Sequence, residues 1–150
     1  MRTRTAVERY HVFVFVCIVG LALTVPISFA KKEPSKWTAP DSTRNIKNPI
    51  GSTKPVVSQG KKIFTQQCAA CHGKSGKGDG PAAKYLGKKL PDFTDPSMWD
   101  QTDGELFWKI SNGKGTMPTF KGVLTEEGRW QVVNYMRSLS PRTNKEEVAP

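Results

Sequence analysis

The chain is 150 residues long, with 23 Lys+Arg against 13 Asp+Glu, a formal net charge of +10, three cysteines and two histidines. That length suits one small domain rather than several. So few cysteines and histidines argue against a closed four-ligand zinc centre, and the basic balance points to an acidic surface as partner.

The first thirty residues read as an export signal. Arg2, Arg4 and Arg9 make a basic start, Val12 to Val25 is an apolar run of 14 residues, and Ser28 to Ala30 puts small residues where a signal peptidase cuts. The run is shorter than the roughly 18 residues that argue for a spanning helix. Cleavage after Ala30 is therefore expected, with an uncleaved anchor as the alternative. Cys17 lies inside the run as an inert apolar side chain. Without residues 1–30 the chain keeps 20 Lys+Arg and 12 Asp+Glu, a net +8, and a single histidine, His72. Export places the protein in the periplasm, or tethers it to the membrane if the segment is retained, and argues against nucleic acid as a partner.

Residues 31–55 hold four prolines among polar residues with no apolar period. They read as an extended arm without helix or strand, although Trp37 and Ile50 suggest that part of it lies across the domain. Helical punctuation follows. Thr53 is placed to cap a helix through Cys68 with Val56, Gly60, Ile63 and Phe64 on its apolar side. "GPAAKYLG" predicts a short helix opened by Pro81 and stopped by Gly87, and "DPSMWD" repeats the device with Asp95 as cap and Pro96 at the first position. Thr102 and Glu105 have capping-box spacing ahead of "LFWKI", which ends at Asn112-Gly113. Thr125 caps a last helix with Glu126 and Glu127 in its first turn, Arg137 near its end and Pro141 as the stop. Its broad apolar face comprises Trp130, Val132, Val133, Tyr135, Met136 and Leu139. No strand of convincing length appears. The fold class is all-α, with a folded domain over residues 56–140 and a tail over 141–150.

The chemistry concentrates in "CAACH", residues 68–72, which holds Cys68, Cys71 and His72. A thioredoxin-like dithiol wants a preceding strand and a βαβ surround, whereas a helix precedes this motif and a glycine-rich loop follows. A structural zinc site would be one ligand short. The third chemistry is covalent haem attachment, with Cys68 and Cys71 adding to the porphyrin vinyl groups and His72 ligating the iron. Two sulfurs three positions apart lie about one helical turn apart, and export would otherwise leave a reactive dithiol in an oxidising compartment. This reading predicts one haem c with its iron.

A distal ligand must come from elsewhere, and methionine is the available type. Met136 falls within the last helix and Met98 in a short helical turn, where both read as core. Met117 sits in "GKGTMPTF", between glycines and Pro118, which disfavours helical geometry at Met117. A thioether on an extended strap can be held against a metal by its backbone, so Met117 is the expected distal ligand. "GKSGKGDG" lacks P-loop spacing and follows a helix; its glycines instead let the backbone turn closely beneath the haem edge. Trp99, Phe107, Trp108, Phe120 and Trp130 are available to wall a haem. Lys74, Lys77, Lys84, Lys88, Lys89, Lys114 and Lys121 flank these segments and together suggest a docking ring. No carboxylate pair or nucleophile–base set stands out, so no catalytic residues are assigned.

With "GKKIF", "CAACH", "TMPTF" and "WQVVNYMRSL" in this order and spacing, residues 56–140 resemble a class I, single-haem c-type cytochrome of the bacterial exported type. The resemblance implies a small helical shell around a covalent haem, working in electron transfer rather than as an enzyme. It also implies that the first and last helices cross, with Gly60 and Phe64 on one side and Val132 and Tyr135 on the other. Its partners would be redox proteins with acidic docking surfaces. Membrane contact would come only through a partner complex or a retained N-terminus. The alternative role is the cytochrome subunit of a larger membrane or periplasmic oxidoreductase.

Overall fold

The computed structural model describes residues 37–141. The export segment with Cys17, residues 31–36 of the arm and the tail beyond Pro141 lie outside the described residues. Four α-helices carry the described fold: α1 (Lys54–Gln67), α2 (Ala69–His72), α3 (Asp103–Asn112) and α4 (Glu126–Ser138). Short 3-10 turns at Asp41–Thr43, Ala83–Leu86 and Pro96–Asp100 join them. Among the described residues there is no strand, only an isolated bridge between Lys114 and Met117, and no helix long and apolar enough to cross a membrane.

Local chemistry sets these boundaries. The Thr102 hydroxyl accepts from the Glu105 amide at 3.3 Å while the Glu105 carboxylate accepts from the Thr102 amide at 2.7 Å, so the α3 capping box closes in both directions. Thr125 caps α4 through the Gly128 amide at 3.0 Å, and Asp95 caps its 3-10 turn through the Ser97 amide at 2.9 Å. At α1 the structure departs from expectation. Thr53 occupies the N-cap but its side chain makes no cap hydrogen bond; Pro55, two positions on, removes one of the two amides such a cap can use.

The core forms where α1 crosses α4. A Cβ at Gly60 would overlap the Gln131 carbonyl and press on the Tyr135 Cβ at 3.0 Å, so the two backbones meet where one side chain is missing. One turn on, the Phe64 ring lies 5.2 Å from that of Tyr135, tilted by 60°. Val132 and Val133 are sealed beside it. The four positions expected at the crossing are therefore found together. Helix α3 closes the other flank of α4 through Leu106 and Ile110, with the Phe107 ring stacked on Trp130 at 3.9 Å.

The arm is more structured than its composition suggests. From Ala39 it makes one 3-10 turn and settles against α3 and α4. A Cβ at Gly104 would overlap the Thr43 carbonyl, Arg44 pairs with Glu105 at 3.4 Å, and Lys109 sits 5.4 Å over the Trp37 ring. Asn48 donates to the Asn134 amide oxygen at 3.1 Å and to the Trp130 carbonyl at 3.4 Å, while Asn134 donates back to the Ile50 carbonyl at 3.4 Å. A proline-rich segment has no internal ladder, so its carbonyls find side-chain donors on the domain.

Replacing Gly60 by Ala forces α1 and α4 apart. The haem-loaded protein is expected to lose about 1–3 kcal/mol, the range for overpacking a close contact, read as a lower denaturation midpoint at unchanged m-value. Gly122→Ala, where an added Cβ meets open space, should leave the midpoint within about 0.5 kcal/mol of the parent.

Candidate functional site

The site begins where α1 ends. The Cys68 amide donates to the Phe64 carbonyl at 2.8 Å, and the chain re-enters helix for α2, with the Cys71 and His72 amides donating to the Cys68 carbonyl at 3.1 and 2.9 Å. One turn thus brings Cys68, Cys71 and His72 together, as their spacing predicted. A helix end leaves carbonyls without partners, and the glycine-rich loop supplies them. Gly73 donates to Ala69, Ala82 to Ala70, Gly80 to Cys71 and Gly78 to His72, all between 2.8 and 3.1 Å. Gly73, Gly76 and Gly78 all have positive φ near 75°, and a Cβ at Gly80 would press into the carbonyls of Ala69 and Ala70. The loop can fold back over the motif only because these side chains are absent.

The loop also delivers a residue that the sequence reading did not single out. The Phe93 amide donates to the Gly76 carbonyl at 2.7 Å, and Asp92 accepts from the Thr94 amide and hydroxyl at 2.8 and 2.7 Å. Those two bonds hold the Asp92 carboxyl below the usual carboxylate range and fix the turn around Phe93. The Phe93 ring stacks on the His72 imidazole at 5.0 Å and 24° and meets Phe64 edge-on at 6.2 Å. The one local signal for it was its position between two proline-bounded turns, "PDFTDP".

The electrostatics separate the candidate chemistries. Burial, with Cys71 adding to it, pushes the Cys68 thiol up to about 12. A dithiol oxidoreductase needs the opposite shift, towards thiolate at neutral pH. Burial lowers the basicity of His72, which favours the neutral imidazole that a metal requires. Both cysteines are free and half-buried, and His72 Nδ1 is buried without a hydrogen-bond partner. These residues fit a covalently held haem: two unpaired thiols one turn apart, an unspent imidazole, and a loop whose missing side chains permit close approach.

Met117 comes from a different segment, the strap between α3 and α4. It exchanges two hydrogen bonds with Lys114, at 3.0 and 3.1 Å. Gly113 is left-handed at φ 64°, where a Cβ would overlap Met117 and Pro118. Met117 packs half-buried on the core, as does Met98, whereas Met136 is buried within α4. Of the aromatics named for a haem wall, Trp99, Phe120 and Trp130 are buried. Trp99 is held by its indole N–H on the Phe93 carbonyl at 3.1 Å. The seven flanking lysines are all exposed.

A helical domain with this attachment site is a single-haem c-type cytochrome of class I, with covalent haem c and its iron as cofactor. Residues 55–136, more than half of the chain, match the family described as cytochrome c oxidase, cbb3-type, subunit III, and the chain belongs to that family. It is similar to cytochrome c6 of Leptolyngbya boryana, 36% identical over 80 residues, which span 53% of this chain and 88% of that protein. It is also similar to cytochrome c-551 of Bacillus subtilis, 26% identical over 112 residues, 74% of this chain and 82% of that one. Among solved structures, cytochrome cL of Methylophaga aminisulfidivorans shares the fold with a TM-score of 0.52 at 19% identity, over 81% of this chain and 79% of that chain.

Replacing Cys68 and Cys71 together by Ala removes both attachment points. Protein made in cells with a cytochrome c maturation system should then lose the haem stain that survives denaturing electrophoresis in the parent. Persistent staining of the double variant would exclude this turn as the attachment site.

Proposed function

We propose that the protein is an exported, non-enzymatic carrier of single electrons, with Cys68 and Cys71 holding the haem through thioethers and His72 and Met117 ligating its iron. The observation that carries this reading is the CAACH turn, in which two free thiols and an unpartnered imidazole share one helical turn roofed by a glycine loop. When bound, the haem supplies one iron that takes up and releases a single electron. The chain does the rest. His72 is held neutral by burial and fixed in plane by Phe93. The folded-back loop covers the motif, and the Tyr135 hydroxyl donates to the Lys74 carbonyl at 3.4 Å, tying that loop to α4. Met117 on the iron would leave no open site for substrate, as a carrier rather than a catalyst requires.

The charge pattern supports an acidic redox partner that meets the attachment half first. Residues 54–90 contain eight lysines and one acid, Asp79, whereas residues 91–141 contain seven acids and five bases. Such a polarised charge turns the molecule during encounter and raises the association rate at low salt.

Two measurements test the reading. The oxidised protein should show the weak near-infrared absorption of methionine sulfur on ferric haem. Met117→Ala should abolish it and open the iron to cyanide, whereas Met98→Ala and Met136→Ala should keep it; loss of the band in one of the latter alone would move the ligand. Association with the natural partner should slow as the Debye length falls from about 30 Å at 0.01 M salt to about 10 Å at 0.1 M. Charge reversal at Lys74, Lys77 or Lys114 should slow it further. A rate flat across that range and indifferent to the reversals would mean docking through an apolar patch.

A further inference from the structure

Arg129 has no place in the scheme above and is costly where it stands. It lies in the first half of α4 with 6% of its surface exposed, and among the described residues no carboxylate is within 4 Å of it. A buried cation without a counter-ion is unfavourable by several kcal/mol unless its surroundings satisfy it. Here the satisfaction is directed at one segment. Arg129 Nη1 donates to the Leu124 carbonyl at 2.9 Å and to the Lys121 carbonyl at 3.2 Å. The guanidinium lies 5.0 Å over the Phe107 ring, whose own partner is Trp130. Its Nε is left buried and unpaired.

Both accepting carbonyls belong to the strap that carries Met117. The two ends of that strap are held differently. At the start, backbone and hydroxyl donors of the strap reach the end of α3: Phe120 to the Ile110 carbonyl at 3.2 Å, Lys121 to the Ser111 carbonyl at 3.2 Å, and the Thr119 hydroxyl to the same Ser111 oxygen at 2.6 Å. Towards α4 the backbone adds the strap's own turn, Val123 and Leu124 donating to Phe120, and the helix's first bond, the Arg129 amide donating to the Thr125 carbonyl at 3.1 Å. Thr125 caps α4 at this end, and the side chain that reaches back from within α4 to the strap's own carbonyls is Arg129. Lys121, Gly122 and Val123 are exposed, so the strap is solvent-covered where the guanidinium grips it from beneath.

We propose that Arg129 is the positioning residue of the distal ligand: its guanidinium clasps the Lys121 and Leu124 carbonyls and so holds the Met117 strap closed against the haem. This rests on Met117 as ligand. An apolar residue would fill the same space without burying a charge, and replacement of buried charges by well-packed apolar groups is often neutral or stabilising. What such a residue lacks is the fork of donors that fixes two carbonyls at once.

The test uses the haem-loaded protein, with Arg129→Met as an apolar chain of similar length and Arg129→Lys as a cation without the fork. Imidazole is titrated as a competitor for the sixth position, the near-infrared sulfur band is recorded, and thermal unfolding is followed in parallel. Arg129→Met should bind imidazole at least about tenfold tighter than the parent, the scale set by losing a charged hydrogen bond, with a weakened sulfur band and no matching fall in unfolding temperature. Arg129→Lys should fall between the two. Parent-like imidazole affinity and band in Arg129→Met would overturn the proposal, as would a gain in affinity accounted for by a parallel loss of stability. Should Arg129→Met yield no folded haem protein, Arg129→Lys decides, and parent-like affinity there overturns it. Met117→Ala separates the two layers: if the sulfur band survives in that variant, it is the ligand assignment that fails.

Discussion

The site depends on how one helix is allowed to end. After α2 the carbonyls of Ala69, Ala70, Cys71 and His72 would face outward without partners, and each is met by an amide of the loop that follows. That demand fixes the loop's path over the attachment turn, and the path fixes where glycine must stand. It also determines where the chain goes next, because Gly76, held in this fold-back, offers the carbonyl that anchors Phe93. The imidazole is thus oriented by a ring twenty-one positions downstream as the last link in a chain of backbone hydrogen bonds.

A second constraint is the close crossing of α1 and α4, set by the absent side chain at Gly60. Its neighbours Phe64 and Tyr135 each serve two purposes. Phe64 packs on Tyr135 and on Phe93, so the crossing and the imidazole's stacking partner share a ring. Tyr135 reaches past the crossing to the Lys74 carbonyl, and burial there pushes its phenol up. Disturbing the crossing therefore reaches the attachment turn through two aromatic residues.

What could be read in the sequence is what local chemistry decides. The capping box at Thr102 and Glu105, the Asp95 and Thr125 caps and the stops at Gly87 and Gly113 involve partners a few residues apart, and the structure has all of them. The CAACH turn was legible for the same reason. Thr53 stands at the expected N-cap but makes no side-chain cap, and Pro55 two positions on removes one of the two amides it could have used. Phe93, Arg129 and the Asn48–Asn134 pair were not legible, since each matters through a partner brought close only by the fold. An asparagine in a helix and another in a proline-rich arm carry no mark of belonging together. Arg129 stands on a helix whose first turn is acidic, and nothing local in the sequence marks its burial.

Sequence separation also ranks these contacts by the chain entropy that closing them costs. The attachment turn and its roof lie within residues 64–82 and close through short loops, whereas Asn48 and Asn134 are 86 positions apart. Long closures cost more chain entropy than short ones, and contacts of long sequence separation slow folding. A nascent chain can present both thiols and the imidazole in one turn while α4 is still unmade. Haem held at that turn, as proposed above, would give α4 a fixed apolar body to close upon. The arm's grip, which is made on residues of α4, needs that helix in place.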